Sequence, residues 1–258
     1  MTIKTVVDFL FSKYPLSTKE PWDPSGFSVK FNQSKKLTGV ILAIDLTQKV
    51  LEEAIKNNCN LIITHHPFKF EKTWDDEDLK APYKRDIFNK LKHYKISVIA
   101  FHTNYDYALE GTSFQIAKQL NLQNYVVFQE NGYDCKIKYN TSVNNMINLI
   151  KDKLNLEAFR TNIPTAQLDT KISKIAILSG AGYISEVNLF SKKGYELIIT
   201  SDIKWSDWIV YDQIKAPILD IPHLDEEVFC YDIFQQLKSK FNLENLIIVK
   251  HKTPYKNI

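Results

Sequence analysis

Apolar residues recur along this chain in two alternating patterns. Short runs of aliphatic and β-branched residues occupy 37–44, 61–64, 95–101, 172–178, 197–200, 217–221 and 246–249. Their length and composition predict buried strands. Residues 133–139 alternate like a half-buried strand, and 157–162 reads as a short one. Between these runs the apolar positions fall three and four apart. Val6, Val7, Leu10 and Phe11 form one such set; Val50, Leu51, Ala54 and Ile55 another; Ile87, Phe88 and Leu91 a third. This spacing predicts helices over 1–14, 47–57, 82–94, 113–120, 142–154, 185–193, 203–214 and 228–241. Asp45 and Thr47 stand at helix-cap positions, Asn58 is a left-handed terminator, and Gly194 closes the 185–193 helix. Residues 15–26 carry the turn chemistry of Pro, Asp and Gly. Residues 68–80, acidic and aromatic without a clean period, read as a loop, and 164–170 as a connector. Strands alternating with helices predict an α/β fold with largely parallel sheets.

The pattern repeats. Leu61-Ile62-Ile63-Thr64 overlays Leu197-Ile198-Ile199-Thr200 without a gap, and at the same offset Ile41 falls on Ile177, Asn58 on Gly194, and His65-His66 on Ser201-Asp202. Further on, His102-x-x-x-Asp106 lies over His223-x-x-x-Glu227 at a smaller offset, which matches the extra loop in the first half. The expected architecture is therefore two similar α/β units related by internal duplication, 1–130 and 131–258, facing each other across a metal-binding cleft. Right-handed crossovers bring the polar strand ends of each half out on one sheet edge. Packing of the halves about a pseudo-twofold axis would gather four polar clusters.

Composition narrows the classes. The chain has 258 residues, 44% hydrophobic and 24% charged, with a net charge of +3 and its lysines dispersed. A nucleic-acid binder would carry a clustered basic face. Trp22, Trp74, Trp205 and Trp208 are expected to pack rather than to stack on bases. There is no GxGxxG and no GxxxxGK[ST], and only seven glycines. The N-terminal stretch lacks the apolar core of a secretory signal, and no run reaches bilayer length. Cys59, Cys135 and Cys230 are far apart and form no CxxC, as expected of reduced thiols in a cytoplasmic protein.

The histidines carry the chemistry. His65 and His66 end a strand that Pro67 cannot continue. His102 and His223 also follow strands, whereas His93 lies on a helix and His251 near the end of the chain. Open α/β sheets bind ligands at the carboxyl ends of their strands. The expected cleft holds His65, His66, His102, Asp106, Asp202, His223 and Glu227. Imidazoles mixed with carboxylates suit two divalent ions of the Zn, Fe or Mn kind, with Asp106 and Glu227 as symmetric bridging carboxylates. Taken singly, HxxxD and HxxxE read as hydrogen bonds at helix N-termini.

These residues resemble those of a known family, the GTP cyclohydrolase I type 2 homologs, or dinuclear-metal-centre hexameric proteins. The resemblance covers nearly the whole chain. It rests on Trp22-Asp23-Pro24-Ser25-Gly26, Ala43-Ile44-Asp45-Leu46-Thr47, Ile63-Thr64-His65-His66-Pro67, His102-Thr103-Asn104-Tyr105-Asp106 and His223-Leu224-Asp225-Glu226-Glu227. It implies a dinuclear site liganded by His65, His66, Asp106, His223 and Glu227. It implies His102 beside the metals as a proton-transfer or substrate group, and a homohexameric ring. It also implies metal-dependent hydrolysis of a nucleotide or phosphoester. A non-catalytic regulatory or interaction protein with the same ions is the alternative. The chain departs from the family pattern at Ser201, where glycine is usual, near Ser206, where a histidine is usual, and at Pro222, where glycine is usual.

Overall fold

A computed structural model describes residues 1–128 and 130–256. Its contacts divide the chain into two compact units, each an α/β structure around one five-stranded sheet. The first unit comprises Met1–Ala108 and Phe229–Lys252; the second comprises Leu109–Val228 with the described residues from Thr253 on. The division thus falls earlier than 130/131, and a late segment returns to the first unit. The cause is strand β10 (Leu246–Ile248), which pairs in parallel with β2 (Val40–Ala43) and drags its preceding helix with it.

In the first unit, helix α1 (Ile3–Lys13) is capped by Thr2, and helix α2 (Gln48–Lys56) by Thr47. The sheet order is β1-β4-β3-β2-β10, with β1 (Gly26–Val29), β3 (Leu61–Thr64) and β4 (Ser97–Ala100). Strands β2, β3 and β4 run parallel, with every residue buried. That is why they read as unbroken apolar runs rather than alternating ones. Strand β1, antiparallel to β4, starts at Gly26, where the predicted 15–26 loop ends, and runs on through residues for which the sequence pattern predicted no element.

Residues 68–80 also differ from expectation, because helix α3 (Trp74–Lys80) forms there. It is held by polar means and has no apolar stripe. Thr73 Oγ1 caps it, accepting from Asp76 N at 3.1 Å, and Asp75, Asp76 and Glu77 sit in its first turn, where the helix dipole favours acid. Buried Glu77 accepts from Phe70 N (2.9 Å), Glu71 N (2.8 Å) and the Lys84 ammonium (2.6 Å), which fixes the loop bearing Phe70. Helices α4 (Tyr83–Tyr94) and α5 (Thr103–Asp106) complete the first half of this unit.

The second unit contains α6 (Thr112–Gln119), β5 (Asp134–Thr141), α7 (Val143–Leu154), β6 (Arg160–Thr161), β7 (Ile172–Leu178), α8 (Ile184–Lys192), β8 (Leu197–Ser201), α9 (Trp205–Ile214) and β9 (Ile218–Ile221). Its sheet order is β5-β7-β8-β9-β6, with β7, β8 and β9 parallel and both edges antiparallel. Helix α10 (Val228–Phe241) follows. The parallel trio matches that of the first unit, as duplication requires. The match is not perfect: Ile41 pairs with Ile62, whereas Ile177 pairs with Ile199 rather than Ile198. A slip of one residue exchanges the sheet faces. It is tolerated here because both faces are apolar, covered in each unit by two separate core clusters.

The three cysteines are buried thiols, and burial pushes Cys59 up to about 11 and Cys135 up to about 12. Among the described residues no helix is long and apolar enough to cross a membrane.

Candidate metal centre

Three strand ends of the first unit share one sheet edge because β2, β3 and β4 are parallel. Strand β3 delivers His65 and His66 beyond its last residue, β4 delivers His102, and β2 delivers Asp45. One ring nitrogen from each of His65, His66 and His102 lies within 4.8 Å of the others, close enough for a single ion to gather them. The ring centroids stand 5.0 Å apart for His65 and His66, and 5.3 Å apart for each with His102.

Hydrogen bonds decide which nitrogen each ring presents. His65, fully buried, has Nδ1 2.9 Å from the Phe101 carbonyl. A carbonyl only accepts, so Nδ1 carries the proton and Nε2 keeps the lone pair. His66 Nδ1 stands 3.0 Å from Asp45 Oδ1, and His102 Nδ1 3.2 Å from Asp23 Oδ1. Imidazoles that ligate metals are held this way, with the second nitrogen donating to a carbonyl or carboxylate. His65 Nε2 lies 3.5 Å from Asp106 Oδ1, which brings that carboxylate to the same ring.

Asp23 and Asp45 are the orienting groups that sequence reasoning missed. Asp45 read as a helix cap, but Thr47 caps α2, and the Asp45 carboxylate turns to His66. His251, placed outside the site by its position near the end of the chain, has Nε2 3.0 Å from the Asp45 carbonyl. Asp23 sat in a stretch read as turn. It is 1% exposed and accepts from Ser25 N (3.0 Å), Ser25 Oγ (2.6 Å), Thr103 N (3.1 Å), Thr103 Oγ1 and the His102 ring. Burial raises its carboxyl, but hydrogen bonds from His102, Ser25 and Thr103 outweigh that and hold it well below the usual carboxylate range. Exposed Trp22 and Phe70 present edges to His102 at 5.8 and 6.2 Å between centroids.

The second unit repeats the device once. Strand β9 ends at Ile221, and His223 opens the 3₁₀ turn His223–Glu227. Its Nδ1 lies 2.8 Å from Asp202 Oδ2 and its Nε2 2.9 Å from Glu226 Oε2. Burial pulls the imidazole down, but the Glu226 charge and the hydrogen bonds it donates to both carboxylates push it up to about 12. A proton is thus held between His223 Nε2 and Glu226, at the position where a ligating ring would meet a cation. That observation and the three oriented rings of the first unit show that the residues fit a divalent ion. Glu227 is half-buried at the end of the same turn. Besides Asp202, the carboxylate on the His223 ring is that of Glu226, which the HxxxE spacing passed over.

Glu226 needs Gly180. That residue has φ +57, and a Cβ there would lie 2.2 Å from Glu226 Oε1. Gly180→Ala is therefore expected to cost about 1–3 kcal/mol of stability, from left-handed strain and the displaced carboxylate. Urea unfolding checks the cost, and the His223 titration followed by NMR should fall once Glu226 is moved away.

A family model, Duf34/NIF3 (NGG1p interacting factor 3), matches residues 1–254. A protein of Mycoplasmopsis pulmonis called GTP cyclohydrolase 1 type 2 homolog is 39% identical over 239 residues, covering 90% of this chain and 91% of its own. The crystal structure of Staphylococcus aureus hypothetical protein SA1388 superposes with a TM-score of 0.82 at 26% identity, over 100% of this chain and 99% of the other. A Bacillus cereus protein related to NIF3 has the same fold, with a TM-score of 0.86 at 18% identity over 100% and 99% of the two chains.

Proposed function

We propose that this chain, which belongs to the Duf34/NIF3 family, is a metal-dependent hydrolase of a nucleotide or phosphoester, with two divalent ions held by His65, His66, Asp106, His223 and Glu227. One observation carries the reading. Imidazoles in both units have Nδ1 fixed on a carbonyl or carboxylate, as ligating histidines do. The relatives' shared name, GTP cyclohydrolase 1 type 2 homolog, supports hydrolytic chemistry.

Bound ions would supply the acidity that brings water near neutral pKa and the positive charge that steadies a reacting oxygen. The remaining tasks fall to side chains. His65 and His66 are held in one tautomer each. His102, with its Nδ1 proton on Asp23, offers Nε2 to take up or return a proton. The ionised Asp23 steadies the imidazolium that results. Trp22 and Phe70 shield one side of that ring from water. A homohexamer belongs to the same proposal. Exposed Trp205 and Ile209, one turn apart on α9, are an apolar face suited to self-association, and light scattering gives the mass that checks it.

The test is turnover of GTP and of model phosphoesters with defined metals. His102→Asn should lower kcat while metal content stays unchanged. Metal-dependent turnover that survives both His65→Ala and Glu227→Ala would overturn the proposal. The regulatory alternative predicts metal-dependent assembly with no turnover of any substrate.

A further inference from the structure

The second unit holds a cavity of 260 Å³ whose walls include Ala158, Arg160, Asp202, Asp220, Pro222 and Tyr255. Arg160 and Asp220 face each other across β6 and β9, with Arg160 Nε 2.6 Å from Asp220 Oδ2. Asp220 is buried and also draws on the Ile203 backbone N–H. A half-exposed ion pair contributes at most about 1 kcal/mol, and burying its carboxylate costs more. What the pair secures is orientation. Nε is tied, the guanidinium lies 5.7 Å over the Trp208 ring, and neither Nη donates a hydrogen bond among the described residues. Asp202 gives one oxygen to His223 Nδ1 at 2.8 Å and keeps the other for the cavity. Asp202 and Ala158 are both left-handed, at φ 53 and φ 68. For alanine that costs about 1–2 kcal/mol, and such strain gathers at ligand sites.

The walls carry two carboxylates against one guanidinium, so the cavity does not draw an anion. It sets a donor fork beside an acceptor oxygen, which calls for a group that accepts and donates. A hydroxyl does both, and two neighbouring hydroxyls meet both partners. Carboxylates bind ribose hydroxyls in this way. The volume is below the about 300–1,000 Å³ of pockets for larger ligands, which suits one sugar ring. Half-exposed Tyr255 offers a ring against which the C–H face of a sugar can lie. We infer that Arg160 and Asp202 bind the vicinal hydroxyls of a sugar ring in this cavity, with Asp220 as the positioning residue that fixes the guanidinium. The inference deepens the functional proposal and rests on it in one respect, that the sugar belongs to the phosphorylated ligand.

The experiment is equilibrium dialysis of the full chain, with and without Zn²⁺, against ribose 5-phosphate, 2-deoxyribose 5-phosphate, AMP and 2′-deoxyAMP. The native chain should bind at least one hydroxylated ligand about tenfold or more tighter than its deoxy partner, as loss of a hydrogen bond to a charged group predicts. A preference confined to the AMP pair identifies a nucleotide, and one confined to the sugar phosphates a simpler ester; either upholds the inference. Arg160→Lys keeps the charge beside Asp220 but loses the fork. Its urea midpoint should stay near that of the native chain while the preference falls below about threefold. Asp220→Asn, which frees the guanidinium to turn, reads the same ratio if Arg160→Lys fails to fold. Equal affinity for both members of each pair, no binding of any of the four, or a preference that Arg160→Lys retains would each overturn the inference. Turnover separates this result from the functional proposal. A hydroxyl preference without turnover of any phosphoester removes the proposal and keeps the inference; turnover of ribose and deoxyribose substrates with equal KM does the reverse.

Discussion

His65→Ala is expected to weaken Zn²⁺ binding by more than about a hundredfold, since losing an orienting partner alone costs 10–100-fold. The side chain is fully buried, with its Nδ1 fixed on the Phe101 carbonyl and its ring between Phe229 (5.1 Å) and Tyr105 (6.1 Å). It therefore enters binding already oriented, and no entropy is spent in turning it. The same burial means that alanine also leaves a cavity, at a cost of about 2–4 kcal/mol. Two measurements separate the effects. Competition with a chromophoric chelator reads metal affinity, and urea unfolding of the metal-free chain reads the cavity. His66→Ala serves as the control, because His66 is half-buried and held by Asp45. It should lose metal as severely while keeping most of the metal-free stability. If both variants bind Zn²⁺ as the native chain does, the first-unit donor set is not a metal site.

The parts legible in the sequence were those written in apolar periodicity or in chain punctuation. Leu61–Thr64 is wholly buried, so its run of β-branched residues announced a parallel strand, and Pro67 marked where His65 and His66 emerge. The likeness of Leu61–Thr64 to Leu197–Ser201 was visible for the same reason. Features held by polar contacts between distant residues were not visible. Helix α3 is stabilised by Thr73, by acid at its first turn and by buried Glu77, none of which produces a 3.6-residue stripe. Asp45 satisfied the local rule for a cap and was used instead across the sheet edge by His66. Glu226 was not visible beside Glu227 because spacing counts residues, whereas the 3₁₀ turn His223–Glu227 sets direction, and it brings Glu226 to His223 Nε2. Asp23 was the largest omission. A buried carboxylate joining residues 23, 25, 102 and 103 leaves no periodic trace, only a Trp-Asp-Pro-Ser-Gly string that looks like a turn.

Asp23→Asn is accordingly expected to have the largest effect on stability of any single polar change in the first unit. The native carboxylate accepts two backbone N–H groups, two hydroxyls and one imidazole N–H while 1% exposed. An amide keeps one acceptor oxygen and turns an NH₂ toward groups that are themselves donors. At least two buried donors lose their partner, at roughly 1–3 kcal/mol each, so the expected cost is about 3 kcal/mol. For a chain of this size that lowers the melting temperature by about 6–12 °C. The sign of the pH dependence follows from Asp23's lowered pKa. Its stabilisation is full above the ordinary carboxylate range and is lost as pH falls toward the depressed folded value. The native chain should therefore lose stability on acidification faster than Asp23→Asn, and the two unfolding curves should converge toward low pH. Catalysis gives an independent readout. Without the ionised partner, His102 loses both its fixed tautomer and the stabilisation of its charged form, so kcat should fall by about 10²–10⁴-fold while Zn²⁺ content holds. A variant that melts as the native chain does, at every pH, would show that Asp23 does not hold the turn that carries His102 and Asp106.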